Sequence, residues 1–315
     1  MTLLQLLPQY HARVWGGQRL KPAQPPIGEA WIVYEHNRIA AGPFAGRTLA
    51  EVAEAQGAAL LGPGVVARTG RRFPLLIKLL DCADWLSIQV HPNDAQAVQL
   101  EGPGHFGKTE AWHILEAEAG AQLIAGVRPG VSAEALAQAI RSGALLDVVA
   151  YHPVRAGDTV FMPAGTLHAL GPGLLLYEVQ QTSDITYRVF DWNRPASAGR
   201  ALHVEQSALV ADPTAQGQLQ HLPPLAANDR RLLVTCRYFQ LELLAAETEP
   251  LTLDTRGESF HALTVIQGAA EVATGAERLT LGRFESVIVP AEAGAYRLEP
   301  HGGCRVLNAS VPSNA

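Results

Sequence analysis

Four side chains able to bind a metal stand at spacings that can bring them together: Gln89, His91, Glu110 and His168. Gln89 and His91 lie in Ser87-Ile-Gln-Val-His-Pro92, where apolar residues alternate with polar ones. Strand side chains repeat with a period of two, so both project from one face. Glu110 follows in Gly107-Lys-Thr-Glu-Ala-Trp-His113, and His168 stands just past the turn Pro163-Ala-Gly165. Two imidazoles, a carboxylate and a neutral amide make a mixed nitrogen and oxygen donor set without thiolate. It suits zinc, one ion per chain, and also manganese, iron or cobalt. A cation held this way with an open position polarises oxygen atoms of a bound substrate.

The surrounding elements must carry these groups inward. Phe73-Pro-Leu-Leu-Ile-Lys78-Leu-Leu80 reads as a buried strand. A lysine in such a run either snorkels outward or points into a polar cavity. The run leads to Gln89 and His91, so we place Lys78 in the cavity. Val154–Met162, Leu174–Gln180 and Ile185–Phe190 are also strand-like. Residues 48–61 are Ala-rich with helical spacing, and Thr48 with Glu51 forms a capping box. A second helix, starting at the cap Ser132 and stopping near Gly143, separates Glu110 from His168 as an insertion. Residues 195–230 read as a connection. Residues 232–310 read as a second all-β unit, with turns at Gly257, Gly268, Gly275, Gly282 and Gly294. Trp15, Trp31 and His113 are read as packing residues. His105 sits in a glycine-rich loop placed to close over a ligand.

With 315 residues, the chain has room for two domains. A hydrophobic fraction of 48% and a charged fraction of 17% fit a globular protein. The net charge of −6 and the absence of a basic stripe argue against nucleic acid. Cys82, Cys236 and Cys304 are far apart, which suits a reducing cytoplasm better than a disulfide framework. The N-terminal stretch lacks the basic start of a signal peptide, and no apolar run is long enough to span a bilayer. We expect a cytoplasmic protein, either a monomer or a homodimer, with no membrane partner.

Gly157-x5-Pro163-x-Gly165-x2-His168 resembles the second half of the cupin signature. Gln89-Val-His91 departs from the His-x-His of the first half. Phe260 to Gly268 and Gly282 to Pro290 resemble both halves again, without a His/Glu cluster. The resemblance implies a mainly β fold of two cupin-type jelly-roll barrels with a small helical insertion. Only the N-terminal barrel would hold metal. A catalytic domain would then occupy residues 1–230, with the insert near 131–146, and a degenerate cupin-like domain residues 231–315.

Longer pieces, in order, are more specific: Phe73 to Lys78, Leu86 to Pro92, Lys108 to Trp112, Pro163 to His168, and Glu178 to Arg188 followed by Val-Phe-Asp-Trp192. Across nearly the whole chain they resemble the short bacterial form of type I mannose-6-phosphate isomerase. The resemblance implies an aldose–ketose isomerase that interconverts mannose 6-phosphate and fructose 6-phosphate. It makes Gln89, His91, Glu110 and His168 the ligands of one zinc. It places Lys78, Ser87, Lys108, Glu178, Asp184 and Arg188 around the sugar phosphate, with Arg188 as the catalytic arginine.

Moving a hydrogen between C1 and C2 by a proton route passes through a cis-enediol, whose oxygen needs stabilising. Lys78 and Ser87 are candidates for the phosphate anchor, and Arg188 competes for that role. Arginine is a poor base, so Arg188 is read as electrostatic support for an enediolate oxygen. Lys108, Glu178 and a metal-bound water are the candidates for carrying the proton. Glu178 is equally placed to hold Arg188, Asp184 is read as substrate-binding, and a hydride shift is equally compatible. Two other functions fit the ligand set: a metal-dependent cupin dioxygenase, which leaves Lys78, Lys108 and Arg188 unexplained, and a non-catalytic sugar-phosphate-binding protein.

Overall fold

The computed structural model describes residues 2–195 and 199–313. Strand accounts for 42% and helix for 16%, so the chain is mainly β. It divides into two compact units, each built from separate stretches: Tyr10–Ala30 with Lys78–Leu222, and Met1–Gln9 with Trp31–Ile77 and Pro223–Ala315. The division therefore differs from a single boundary at residue 230. The reason lies in pairing: the strand Leu4–Gln5 hydrogen-bonds to Ser286–Val289, with Leu4 opposite Ile288.

The unit containing Lys78–Leu222 carries the motifs that the sequence offers for metal. Its five-stranded sheet runs Tyr187–Phe190, Ile88–Val90, His168–Leu170, Gln122–Val127, Val149–Pro153. A larger sheet contains Gln218–Gln220, Thr159–Met162, Glu110–Ala117 and Leu174–Gln181 as successive neighbours. Leu123, Ala125 and Leu170 from the first sheet pack with Trp112, Val160 and Leu176 from the second. The opposite face of the five-stranded sheet presents Ile88, Val90 and Ala169 to Leu136 and Ile140 of the helix Ala133–Ser142. Each of those two helix side chains contributes about 1.5–3 kcal/mol by leaving water. Ile88 and Val90 are thereby committed outward, so alternation turns Ser87, Gln89 and His91 into the sandwich.

The helix is capped as its sequence predicts. Ser132 accepts from the amide of Ala135, and Gly143 ends the helix at φ 78°. The strand expected over Val154–Met162 is shorter, because 154–158 form a turn. Val149–Pro153 ends before a turn at Gly157, whose φ is 91°, and Thr159–Met162 follows. The stretch 195–230 is more than a connection, because it holds the helix Val204–Val210 and the strand Gln218–Gln220. Both are too short to show a clear period. Residues 196–198 of that stretch lie outside the described residues.

In the other unit an eight-stranded sheet surrounds a core that includes Leu244, Leu263, Val287, Leu298 and Val306. Besides those strands, this unit contains the helix Leu49–Gln56, with the predicted Thr48–Glu51 capping box. Gly268 is not a turn. It lies inside the strand His261–Thr274 at a shift of register, where an added Cβ would meet the carbonyl of Gly303.

Candidate metal centre and substrate site

Cross-strand register assembles the centre. His168 stands opposite Gln89, and Gln89 stands opposite Arg188. Directly paired residues point the same way, so these three form one row across three strands. On the larger sheet Glu110 pairs with Gln180, and Trp112 with Glu178.

His91, Glu110 and His168 are buried, and their ligand atoms lie within 4.8 Å of one another. Among the described residues this is the one His/Cys/Asp/Glu group so placed. His91 Nδ1 donates to the carbonyl of Ile185 at 2.8 Å, and His168 Nδ1 to that of Thr166 at 2.8 Å. Carbonyls only accept, so each neutral ring offers its Nε2 lone pair inward. His168 Nε2 is 3.3 Å from Glu110 Oε1, and His91 Nε2 is 3.6 Å from Glu110 Oε2. Burial, followed by the charge of Lys108 and the nearby His168, holds His91 well below its ordinary pKa. Burial also lowers His168, against the pull of Glu110. Both rings are thus kept in the ligating form.

The donor set fits a divalent cation on two further grounds. Neither oxygen of buried Glu110 receives a directed hydrogen bond, an arrangement that costs free energy unless a cation is nearby. The Lys108 ammonium, itself a cation, approaches Glu110 Oε2 to 2.7 Å as an ion pair and lies 2.8 Å from His91 Nε2. Gln89 turns its Nε2 toward His168 Nε2 at 3.2 Å. Presenting Oε1 to a cation takes only a half-turn of that amide.

Lys78 does enter the interior. Its Nζ donates to Glu178 Oε1 at 2.9 Å and Gln180 Oε1 at 2.6 Å. Trp112 Nε1 donates to the other Glu178 oxygen at 3.0 Å. Burial raises the Glu178 pKa, but the charge of Lys78, then that of Lys108 and the two hydrogen bonds, outweigh it and hold the group at about 2. Arg188 is held elsewhere, with Nε on Ser87 Oγ at 3.2 Å and Nη1 on the carbonyl of Ala201 at 2.9 Å.

The family model for the catalytic domain of type I phosphomannose isomerase matches residues 3–110. The mannose-6-phosphate isomerase of Streptococcus mutans is 34% identical over 320 residues, spanning 94% of this chain and 95% of that one. The chain belongs to the type I mannose-6-phosphate isomerase family. The crystal structure of the Bacillus subtilis mannose 6-phosphate isomerase superposes with a TM-score of 0.84 at 29% identity, covering 98% and 99% of the two chains. A zinc-bound mannose 6-phosphate isomerase shares the fold at a TM-score of 0.76 and 17% identity, covering 98% and 99%.

Within this isomerase fold, most residues singled out from the sequence do converge: Gln89, His91, Lys108, Glu110 and His168 at the cluster, Lys78 beside Glu178, and Ser87 beside Arg188. Asp184 is exposed, in the loop ahead of Tyr187–Phe190. Glu178 bonds Lys78 and Trp112 rather than Arg188. His113 donates to or accepts from Thr159 Oγ1 at 2.9 Å, and burial lowers its pKa to about 4, in keeping with a packing role. Sequence reasoning missed Gln180, which accepts from Lys78, and Arg200, whose Nη2 lies 3.4 Å from Ser87 Oγ. Gln180 was accessible, since it follows Glu178 by two residues on one strand. Arg200 left no local signal.

Proposed function

We propose that this chain is a metal-dependent aldose–ketose isomerase that interconverts mannose 6-phosphate and fructose 6-phosphate. The observation that carries this reading is the buried convergence of His91, Glu110 and His168 beside Lys108, in a member of the isomerase family. Gln89, His91, Glu110 and His168 are the ligands. Zinc is the metal we assign, from the nitrogen and oxygen donors and from the zinc-bound relative. When bound, it supplies a Lewis acid for the sugar's carbonyl and hydroxyl oxygens.

The remaining steps belong to side chains of the chain. Lys108, beside the ligands, carries the proton between C1 and C2 through a cis-enediol, taking it from one carbon as the neutral amine and returning it to the other as the ammonium. Glu178 is poorly suited to that role, because a carboxyl held at about 2 by two donors resists protonation. It fixes the Lys78 ammonium in the cavity instead. Arg188, in the row with Gln89, supplies positive charge to the enediolate oxygen side and to the phosphate. Ser87 precedes Gln89 by two residues, about 6.6 Å along a strand, a span that an open sugar chain bridges. Asp184 binds at the rim.

We read both units as cupin-type jelly rolls, with metal in the one that contains Lys78–Leu222 and the other degenerate. The unit with metal is the catalytic domain. A cytoplasmic setting agrees with three free cysteines. Among the described residues, no helix is long and apolar enough to cross a membrane.

Fructose 6-phosphate formation from mannose 6-phosphate should stop on chelation and return with added zinc. Undiminished turnover by thoroughly chelated protein, verified to be metal-free, contradicts the assignment.

A further inference from the structure

Glu110 opens the strand Glu110–Ala117 and is paired on both sides, with Gln180 and with Met162. Lys108, two residues earlier, lies outside that strand, yet its Nζ is 2.7 Å from Glu110 Oε2 and 2.8 Å from His91 Nε2. A ladder holds the carboxylate. The lysine depends on other contacts to keep its aim.

Gln181 and Asp94 supply them. Gln181 Oε1 accepts from the Thr109 amide at 2.9 Å, and the Gln181 amide donates to the Thr109 carbonyl at 3.2 Å. Gln181 Nε2 donates to Asp94 Oδ1 at 2.9 Å, and the same oxygen accepts from the Gly107 amide at 2.9 Å. Between these two points the Lys108 amide donates to the Pro92 carbonyl at 2.9 Å. Three successive amides, 107 to 109, are therefore fixed, and buried Gln181 uses both ends of its side-chain amide to do it. One residue further back, Ser183 Oγ donates to the Phe106 carbonyl at 2.9 Å, which pins the base of the loop carrying His105.

Regular elements stand behind both residues. Gln181 ends the strand Leu174–Gln181. Asp94 opens the helix Asp94–Glu101, whose cap Asn93 exchanges hydrogen bonds with Gln96. The approach is close: a Cβ added to Gly107 would lie 2.5 Å from the carbonyl carbon of Asn93. Residues 91–94 thus provide an imidazole of the cluster and also the groups that hold Lys108.

We propose that Gln181 and Asp94 are positioning residues, which act through the backbone of residues 107–109 to aim the Lys108 side chain at the reacting carbons. The proposal deepens the isomerase reading and rests on it. A proton carrier must stay within reach of the carbon it serves, so slack in this segment costs turnover more than it costs substrate binding.

Gln181→Met keeps the length of the side chain and removes both of its hydrogen bonds. It should lower kcat about tenfold or more, with KM for mannose 6-phosphate within about threefold and zinc content unchanged. Asp94→Ala frees only the far end of the clamp, and should lower kcat by a smaller factor, about threefold or more. In a Lys108→Met background, Gln181→Met should lower kcat by less than about twofold further, because the group it aims is already gone. Hydrogen exchange followed by NMR gives a readout independent of turnover: in Gln181→Met the Thr109 amide should exchange about tenfold faster or more, while the amides of Trp112 and Ile114 keep their protection. The proposal is overturned if either single variant turns over at the wild-type rate, if zinc is lost along with activity, if Gln181→Met costs the same factor with and without Lys108, or if exchange at Thr109 does not change. If the wild-type chain does not isomerise mannose 6-phosphate, the isomerase reading fails, and exchange at Thr109 still decides whether Gln181 holds this segment.

Discussion

Gln89 is the direct cross-strand neighbour of Arg188, so the neutral amide of the proposed metal set and the arginine of the proposed substrate site share one face, side by side. A neutral ligand leaves a bound cation more electropositive than a carboxylate does. Gln89→Glu should therefore hold metal more tightly against chelators while kcat falls about tenfold or more. The added charge also pulls on Arg188, one strand away. Metal retention measured by dialysis against a chelator, together with kcat, checks this. A variant with both tighter metal and faster turnover contradicts the Lewis-acid role.

His168 reaches the centre from a different strand than His91 and is oriented by the carbonyl of Thr166. His168→Ala removes one of the two proposed imidazole ligands, and activity should drop by more than about 100-fold together with bound zinc. Metal analysis of the purified variant, alongside the coupled assay, separates this from misfolding when the far-ultraviolet dichroism is unchanged.

Much of this centre could be read from the chain because period-two alternation is strict where one face is buried. Ile88 and Val90 fix the outward face, so Gln89 and His91 had one direction left. Lys78 was legible as a charge inside an apolar run, although its partners, about a hundred residues away, were not. Arg200 was invisible for the same reason: its contact with Ser87 spans 113 residues, and it stands in a Pro-, Ala- and Gly-rich stretch without periodicity. The two-residue strand Leu4–Gln5 is too short to carry a pattern, so the joining of the N-terminus to the C-terminal sheet could not be foreseen. Asp184, identified by motif alone, is exposed, because a motif does not specify which way a loop residue turns.

The Lys78–Glu178 pair makes stability acid-sensitive in a defined window. The folded pKa of Glu178, about 2, lies below its ordinary value of 4.5. Its contribution is therefore complete above pH 4.5 and is lost as pH falls through about 2, amounting to roughly 3 kcal/mol. At neutral pH Glu178→Gln leaves the Lys78 ammonium buried without its counter-charge, costing about 3–5 kcal/mol. Urea unfolding of wild type and variant between pH 5 and 2 should show the difference shrinking as acid is added. Parallel profiles would mean that this carboxylate titrates alike folded and unfolded.

Arg188 is held by its side chain at two points, Ser87 Oγ and the Ala201 carbonyl, and by its backbone at His203. A lysine at this position keeps the positive charge but has one nitrogen to serve both acceptors. Arg188→Lys should consequently lower kcat by about 100-fold, the scale of losing one aimed donor at a developing oxyanion. Zinc content should not change, since no guanidinium atom touches His91, Glu110 or His168 among the described residues. Arg188→Met should lose more, because charge disappears as well as direction. If lysine restores full kcat, position within the row matters less than charge, and the fork of Arg188 has no part in stabilising the enediolate.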